Sequence, residues 1–187
     1  ISSSKMVVCT ETGPFIIHNK KSIQNLTEGG KLRYTKTNTA YAESKDLIWI
    51  GTAEKGMYLL DFSDNKERLY HYHKNPYDNS SIVDDNILSI YEDVSGIIWV
   101  GTEKGVSKFD KFKQGFTTIS LNNDPKEGLI DYSVWSFAED EDENIYIGTK
   151  KDLTIYSKED NEFYHVYRED DAQHYLLSIY IESPNCV

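Results

Sequence analysis

Leu47-Ile48-Trp49-Ile50-Gly51-Thr52 decides the fold, because it returns. Ile97-Ile98-Trp99-Val100-Gly101-Thr102 repeats it fifty residues later, and Asn144-Ile145-Tyr146-Ile147-Gly148-Thr149 repeats it forty-seven after that. Val7-Val8-Cys9-Thr10 is a worn copy forty-two residues before the first. A fixed period of this size marks one supersecondary unit used several times, each too small to bury its apolar face without a neighbour.

The residues around the marker identify the unit. Asn86-Ile87-Leu88-Ser89-Ile90-Tyr91-Glu92-Asp93 and Ser133-Val134-Trp135-Ser136-Phe137-Ala138-Glu139-Asp140 precede two copies at the same offset. Both alternate large apolar with small or polar residues, the period of a strand with unlike faces. A short turn and another such run follow each marker: Gly56 to Asp61, Gly105 to Asp110 and Leu153 to Tyr156. An aromatic-rich run closes each unit, at Arg68 to His73, Gly115 to Ile119 and Glu162 to Tyr167. Four antiparallel strands, A to D, in roughly 45 to 50 residues make one β-propeller blade, and the marker is strand B.

Alternation along Ile98-Trp99-Val100 sends the indole to one face and the aliphatic residues to the other. Both faces are then apolar, as a sheet stacked between two others requires. Gly101 leaves room for an adjacent backbone or ring.

Asn86 to Gly96 together with Trp99-Val100-Gly101-Thr102-Glu103-Lys104-Gly105-Val106 resembles the two-component regulator propeller repeat, found in the periplasmic sensor halves of hybrid histidine kinases of Bacteroides-type bacteria. The next unit departs from the pattern, with Tyr146 for the tryptophan and Asp152 in place of Gly105. The resemblance implies an all-β partial propeller that senses a glycan-derived oligosaccharide in the periplasm and signals to a kinase. It also implies a larger, seven-bladed parent ring of which this chain is a piece.

The units divide the chain into strands B to D at 5–30, whole blades at 31–74, 82–120 and 129–168, and a lone strand A at 174–182. In the first, strand B is expected at Val7 to Thr10, strand C at Pro14 to Asn19 and strand D near Ser22 to Thr27. Leu177-Ser178-Ile179-Tyr180 repeats Leu88-Ser89-Ile90-Tyr91, so the lone strand is able to complete the first blade. Closing four blades on themselves needs a splay of about 90°, which leaves wedges between sheets that must be filled. Association with a second copy buries the end sheets instead, so a homo-oligomer is expected.

The formal net charge of −11 argues against nucleic acid and anionic membrane surfaces as partners, since both are bound by clustered Lys and Arg. No run approaches the roughly 18 apolar residues of a membrane span. Cys9 replaces a strand B glycine position and reads as a small buried residue, while Cys186 lies beyond the last strand, and the two make no disulfide framework. His71 and His73 share a strand face without a third ligand of matching spacing, so no metal is assigned. Asp140-Glu141-Asp142-Glu143-Asn144 opens like a calcium loop, but Ile145 and Lys151 stand where glycine and glutamate are needed, so it reads as an A–B hairpin turn.

Catalytic and cofactor motifs are absent: the sequence contains no G-x-S-x-G, H-E-x-x-H, G-x-x-x-x-G-K-[ST] or G-x-G-x-x-G. The fragment therefore reads as a non-enzymatic sensor without cofactor. A propeller glycoside hydrolase or polysaccharide lyase and a pure interaction scaffold are the alternatives. Polar D-to-A connections at 73–85 and 121–132 place the expected ligand face at those loops and the mouths of strands A. Tyr77, Asp85, Tyr132, Trp135 and Tyr175 are the candidates, as aromatic platforms beside oriented polar groups. Trp135 aligns with Leu88 and Leu177, a position that suits core packing better than a ligand face.

Overall fold

The computed structural model describes residues 5–18, 22–25, 32–64, 67–113, 115–167 and 176–181. Among these residues, fifteen strands fall into four antiparallel meanders. Sheet 1 has three strands: β1 (Lys5–Val8), β2 (Phe15–His18) and β3 (Ser22–Asn25). Sheet 2 comprises β4 (Thr37–Ala42), β5 (Leu47–Thr52), β6 (Met57–Asp61) and β7 (Arg68–Tyr72). Sheet 3 comprises β8 (Ile87–Glu92), β9 (Ile98–Thr102), β10 (Gly105–Asp110) and β11 (Gly115–Ile119). Sheet 4 comprises β12 (Val134–Glu139), β13 (Ile145–Thr149), β14 (Asp152–Ser157) and β15 (Glu162–Tyr167). A single 3-10 turn, Pro125–Glu127, is the only helical element among the described residues.

Alternation along strand B sets the packing. Ile48 and Ile50 turn toward Ile16 of sheet 1, while Trp49 turns the other way, onto Ile87, Ile98 and Phe109 of sheet 3. One unit later Ile98 and Val100 face sheet 2, and Trp99 packs with Ile145, Tyr156 and Phe163 of sheet 4. Each tryptophan is thus a wedge between consecutive sheets, with Trp49 5.5 Å from the Phe109 ring and Trp99 5.7 Å from Tyr156.

Gly101 has the companion role. A Cβ there would stand 2.7 Å from the Val134 carbonyl oxygen and 2.3 Å from Ser89 Oγ, so the first residue of the next sheet's strand A lies almost on the glycine. Gly51 meets Ile87 in the same way, and Gly148 meets Leu176, whose carbonyl oxygen is 2.8 Å from the same point. The threonine that follows closes the B–C hairpin. Thr52 Oγ1 donates to the Gly56 carbonyl at 2.7 Å, Thr102 to Gly105 at 2.8 Å and Thr149 to Asp152 at 3.0 Å. All three threonines are fully buried, and these bonds satisfy their hydroxyls.

The segment 176–181 corrects one expectation. Among the described residues it is not a strand and β1 pairs with β2 alone, so no pairing that completes the first blade is seen there. Leu176 instead lies against sheet 4, its N–H donating to the Thr149 carbonyl and its carbonyl accepting from Ser136 Oγ at 2.8 Å. That is the place Val134 holds against sheet 3. Cys9 falls just after β1 and is half-buried, and its burial pushes the thiol pKa up. Cys186 lies outside the described residues.

At the opposite ends of strands A, carboxylates anchor the strand B rings of their own sheets and, through two lysines and a tyrosine, tie one sheet to the next. Trp99 Nε1 donates to Asp93 Oδ2 at 2.9 Å, Trp49 Nε1 to Glu43 at 2.7 Å, and the Tyr146 hydroxyl to Asp140 at 3.1 Å. Asp140 also accepts the Asp142 and Asn144 N–H groups, which makes 140–144 the hairpin turn expected. Lys111 bridges Glu43 of the preceding unit and Glu92 of its own, and Lys158 bridges Asp93 and Glu139 in the same fashion. The Tyr91 hydroxyl donates to Glu139, and burial together with that carboxylate pushes its pKa up to about 12.

Asp93 is 4% exposed. Burial alone would raise its pKa, but donors from Ser95, Trp99 and Ile97 and the charge of Lys158 outweigh it, and the carboxyl sits below its ordinary value. A depressed folded-state pKa adds stability above the unfolded value of 3.8 and forfeits it as pH falls through the folded one. Asp93→Asn, which has no proton to gain, is expected to be less stable than the parent at neutral pH and to lose less on acidification below 3.8. Urea midpoints measured across that range check this; parallel acid slopes would remove Asp93 as a contributor.

Candidate functional site

The first pairing of every strand A is interrupted. Between sheet partners the register slips at Thr37/Thr39, at Ile87/Ser89 and at Val134/Ser136, which places Asn38, Leu88 and Trp135 at the bulges. A β-bulge of this kind bends the strand and re-aims the extra side chain. The three bulge residues, with Leu177 of the segment beside sheet 4, converge on one cavity of about 550 Å³ at the mouths of strands A.

Its remaining wall is polar. Lys36 pairs with Glu11 at 3.0 Å, and the Asn38 amide donates to Asn86 Oδ1 at 3.1 Å and to the Ile87 carbonyl at 2.9 Å. Glu103 from the B–C hairpin of sheet 3 completes it, with its N–H donating to the Asn86 carbonyl. Glu11 and Lys36 are 76% and 53% exposed, so their pair is worth little to stability and both remain available to an entering molecule. An indole, two leucines and a ring of amides and opposite charges can receive a polar ligand with one apolar face.

Of the residues expected from sequence, only Trp135 lines this cavity. Tyr77 stands 97% exposed on the 73–85 connection, its N–H held by Asn75 Oδ1. Asp85 serves the connection itself: its carboxylate accepts the Lys74 N–H at 2.7 Å and its carbonyl accepts the Gly56 N–H at 2.8 Å. Tyr132 is 53% exposed beside Asp131. Tyr175 lies outside the described residues. Lys36, Asn38, Asn86 and Glu103 were not expected, and the signal that finds them is the offset of each from its W-[IV]-G-T marker.

The departure at Asp152 is accommodated locally. Gly105 has φ 128° at its hairpin, whereas Asp152 takes the same place without a left-handed backbone. Its fully buried carboxylate accepts from Thr149 Oγ1 and from Thr154 Oγ1, and His165 Nδ1 approaches it at 2.8 Å. His165 Nε2 lies 2.8 Å from the Pro125 carbonyl, which pins the 3-10 turn of the 121–132 connection to sheet 4.

Four consecutive antiparallel meanders, joined strand A to strand B of the preceding sheet, are β-propeller blades. Residues 81–104 and 128–151, each covering strands A and B, match the two component regulator propeller family. The fold is shared with a crystal structure described as the extracellular domain of the hybrid two component system BT3049 from B. thetaiotaomicron. Identity is 24%, TM-score 0.69, over 87% of this chain and 23% of that one. A looser likeness, 16% identical with TM-score 0.49 over 88% and 26%, is to the extracellular domain described as the one component system BT4673 of the same organism. The U3-55K structure resembles it at 10% identity and TM-score 0.53, over 73% of this chain and 41% of that one. The chain thus spans about a quarter of the length of the two extracellular domains it resembles. No curated protein matches it.

Proposed function

We propose that this chain is part of the extracytoplasmic, ligand-sensing domain of a hybrid two-component system, that it acts in the periplasm, and that it recognises a glycan-derived oligosaccharide without transforming it. The observation that carries the reading is the cavity at the mouths of strands A, where a bulge presents Trp135 among Lys36, Asn38, Asn86 and Glu103. A sugar ring binds on an indole face with its hydroxyls to amides and charges, and the two matches to the regulator propeller family support a sensing role.

Thermal shift against an oligosaccharide panel tests it, since a ligand at a hundredfold excess over Kd adds about 2.7 kcal/mol. Trp135→Ala is expected to weaken the best ligand about tenfold, the value of an aromatic platform, with little change in the melting temperature of the free protein. Equal affinity in the variant would place the ligand elsewhere. Release of reducing ends from polysaccharides by the protein would overturn the non-enzymatic reading in favour of a glycoside hydrolase.

A further inference from the structure

A second cavity, of about 420 Å³, opens between sheets 3 and 4 at the end remote from the first, beside the A–B turn of sheet 3 and the C–D turns. Its floor is anomalous. In strand C the repeats place Leu59, Lys108 and Ile155 at equivalent positions, so sheet 3 alone puts an ammonium where its neighbours put an aliphatic side chain. The Lys108 Nζ lies 5.1 Å from the Trp99 ring centre and 5.0 Å from that of Tyr156, held between the two aromatics.

The other charges of the cavity are committed. Lys113 pairs with Asp110 at 3.4 Å, and Lys158 with Asp93 at 3.3 Å while also reaching Glu139 and Glu143. Among the described residues no carboxylate lies within 4.0 Å of the Lys108 ammonium. Burial pushes its pKa below the ordinary lysine value, with Asp93 opposing and Lys113 and Lys158 adding to the effect. A cation kept in a desolvated aromatic cleft, with its nearest carboxylates engaged by other lysines, has unused capacity for a negative charge. The protein carries a net charge of −11, so a lysine without a carboxylate beside it is a local exception to the composition.

We propose that this cavity binds a small anionic group, a carboxylate or sulfate, either free or carried on a molecule the size of one sugar ring. The anion accepts from Lys108, with Lys113 within the same wall, and the apolar part of the ligand lies on Phe116 and the edge of Tyr156. No bond is made or broken. The inference does not rest on the oligosaccharide reading of the first cavity, which shares none of these residues.

The Trp99 indole N–H, bonded to Asp93, is the reporter, and only three tryptophans are present to resolve. Sodium glucuronate, glucose and sodium sulfate are titrated at constant ionic strength, and the Trp99 indole resonance is followed by NMR. A saturable shift with glucuronate and none with glucose is expected. If sulfate shifts it equally, the free ion suffices; if only glucuronate does, the ring contributes. Lys108→Met, which restores the apolar residue of the sister blades, is expected to fold and to lose at least about tenfold in affinity. Lys45→Met, at a 90% exposed lysine outside the cavity lining, and Trp135→Ala are expected to change nothing here. Absence of a shift with either anion up to tens of millimolar, or undiminished binding in Lys108→Met, overturns the proposal.

Discussion

Trp99→Ala is expected to destabilise the chain by about 3–5 kcal/mol, the usual range for removing a large buried aromatic. The indole is 1% exposed, and three losses coincide when it goes. The wedge between sheets 3 and 4 is emptied, since the ring touches Tyr156 and Phe137 at centre distances of 5.7 and 6.2 Å. Asp93 loses the donor at 2.9 Å that helps hold its charge in a buried place. Lys108 loses one of the two rings that flank it. For a chain of this length about 1 kcal/mol moves the melting temperature by roughly 2–4 °C, so a fall of about 10 °C is expected by calorimetry. Trp99→Tyr should recover part of it, because Tyr146 fills the equivalent position of sheet 4 and donates to Asp140. A melting temperature within about 2 °C of the parent would contradict the role of the indole as inter-sheet wedge.

Gly101→Val is expected to be comparably severe, at about 3 kcal/mol, although valine is the better strand former. Away from any neighbour, exchanging glycine for a side chain in a strand would gain roughly 0.5–1 kcal/mol. Here the first added carbon would stand 2.7 Å from a carbonyl oxygen and 2.8 Å from Val134 Cγ1, so sheet 4 must move away from sheet 3 before the residue fits. Gly115→Ala is the control, because its nearest neighbour across space is a side-chain carbon at 3.4 Å. Chemical unfolding of both variants checks the contrast. Equal stability of the two would mean that the junction tolerates separation.

Strand positions were legible because the marker returns and its alternation assigns faces: Trp49 and Trp99 point onward, and Ile48, Ile50, Ile98 and Val100 point back, as the pattern requires. The glycine of the marker was legible as a requirement, though which backbone approaches Gly101 was not, nor was the hairpin-closing role of the threonine. Bulges were hidden, because period-two alternation does not say that the register slips along Ile87-Leu88-Ser89. That concealment moved the candidate site. Tyr77 and Tyr132 stand exposed on their loops, outside this cavity, while Asn38, Asn86 and Glu103 meet across three segments only once the strands bend. Trp135 aligned with leucines and so suggested a core position, but the leucines at that register also line the cavity. The segment 176–181 carries the strand A pattern but is not a strand among the described residues, since a pattern specifies only which faces match.

The contact between a strand B glycine and the residue that opens the next strand A has a consequence for how such arrays change size. Gly51 with Ile87, Gly101 with Val134 and Gly148 with Leu176 are one joint made three times, and each uses atoms of two adjacent units only. Such a joint holds no record of how many units stand before or after it, so duplicating or deleting a whole unit leaves every surviving joint chemically complete. Blade number is therefore free at the joint and has to be fixed by bulk. The wedge angle is set by what fills the space between sheets, and tryptophan at 49 and 99 against tyrosine at 146 is the kind of difference through which sequence can tune the curvature of the array.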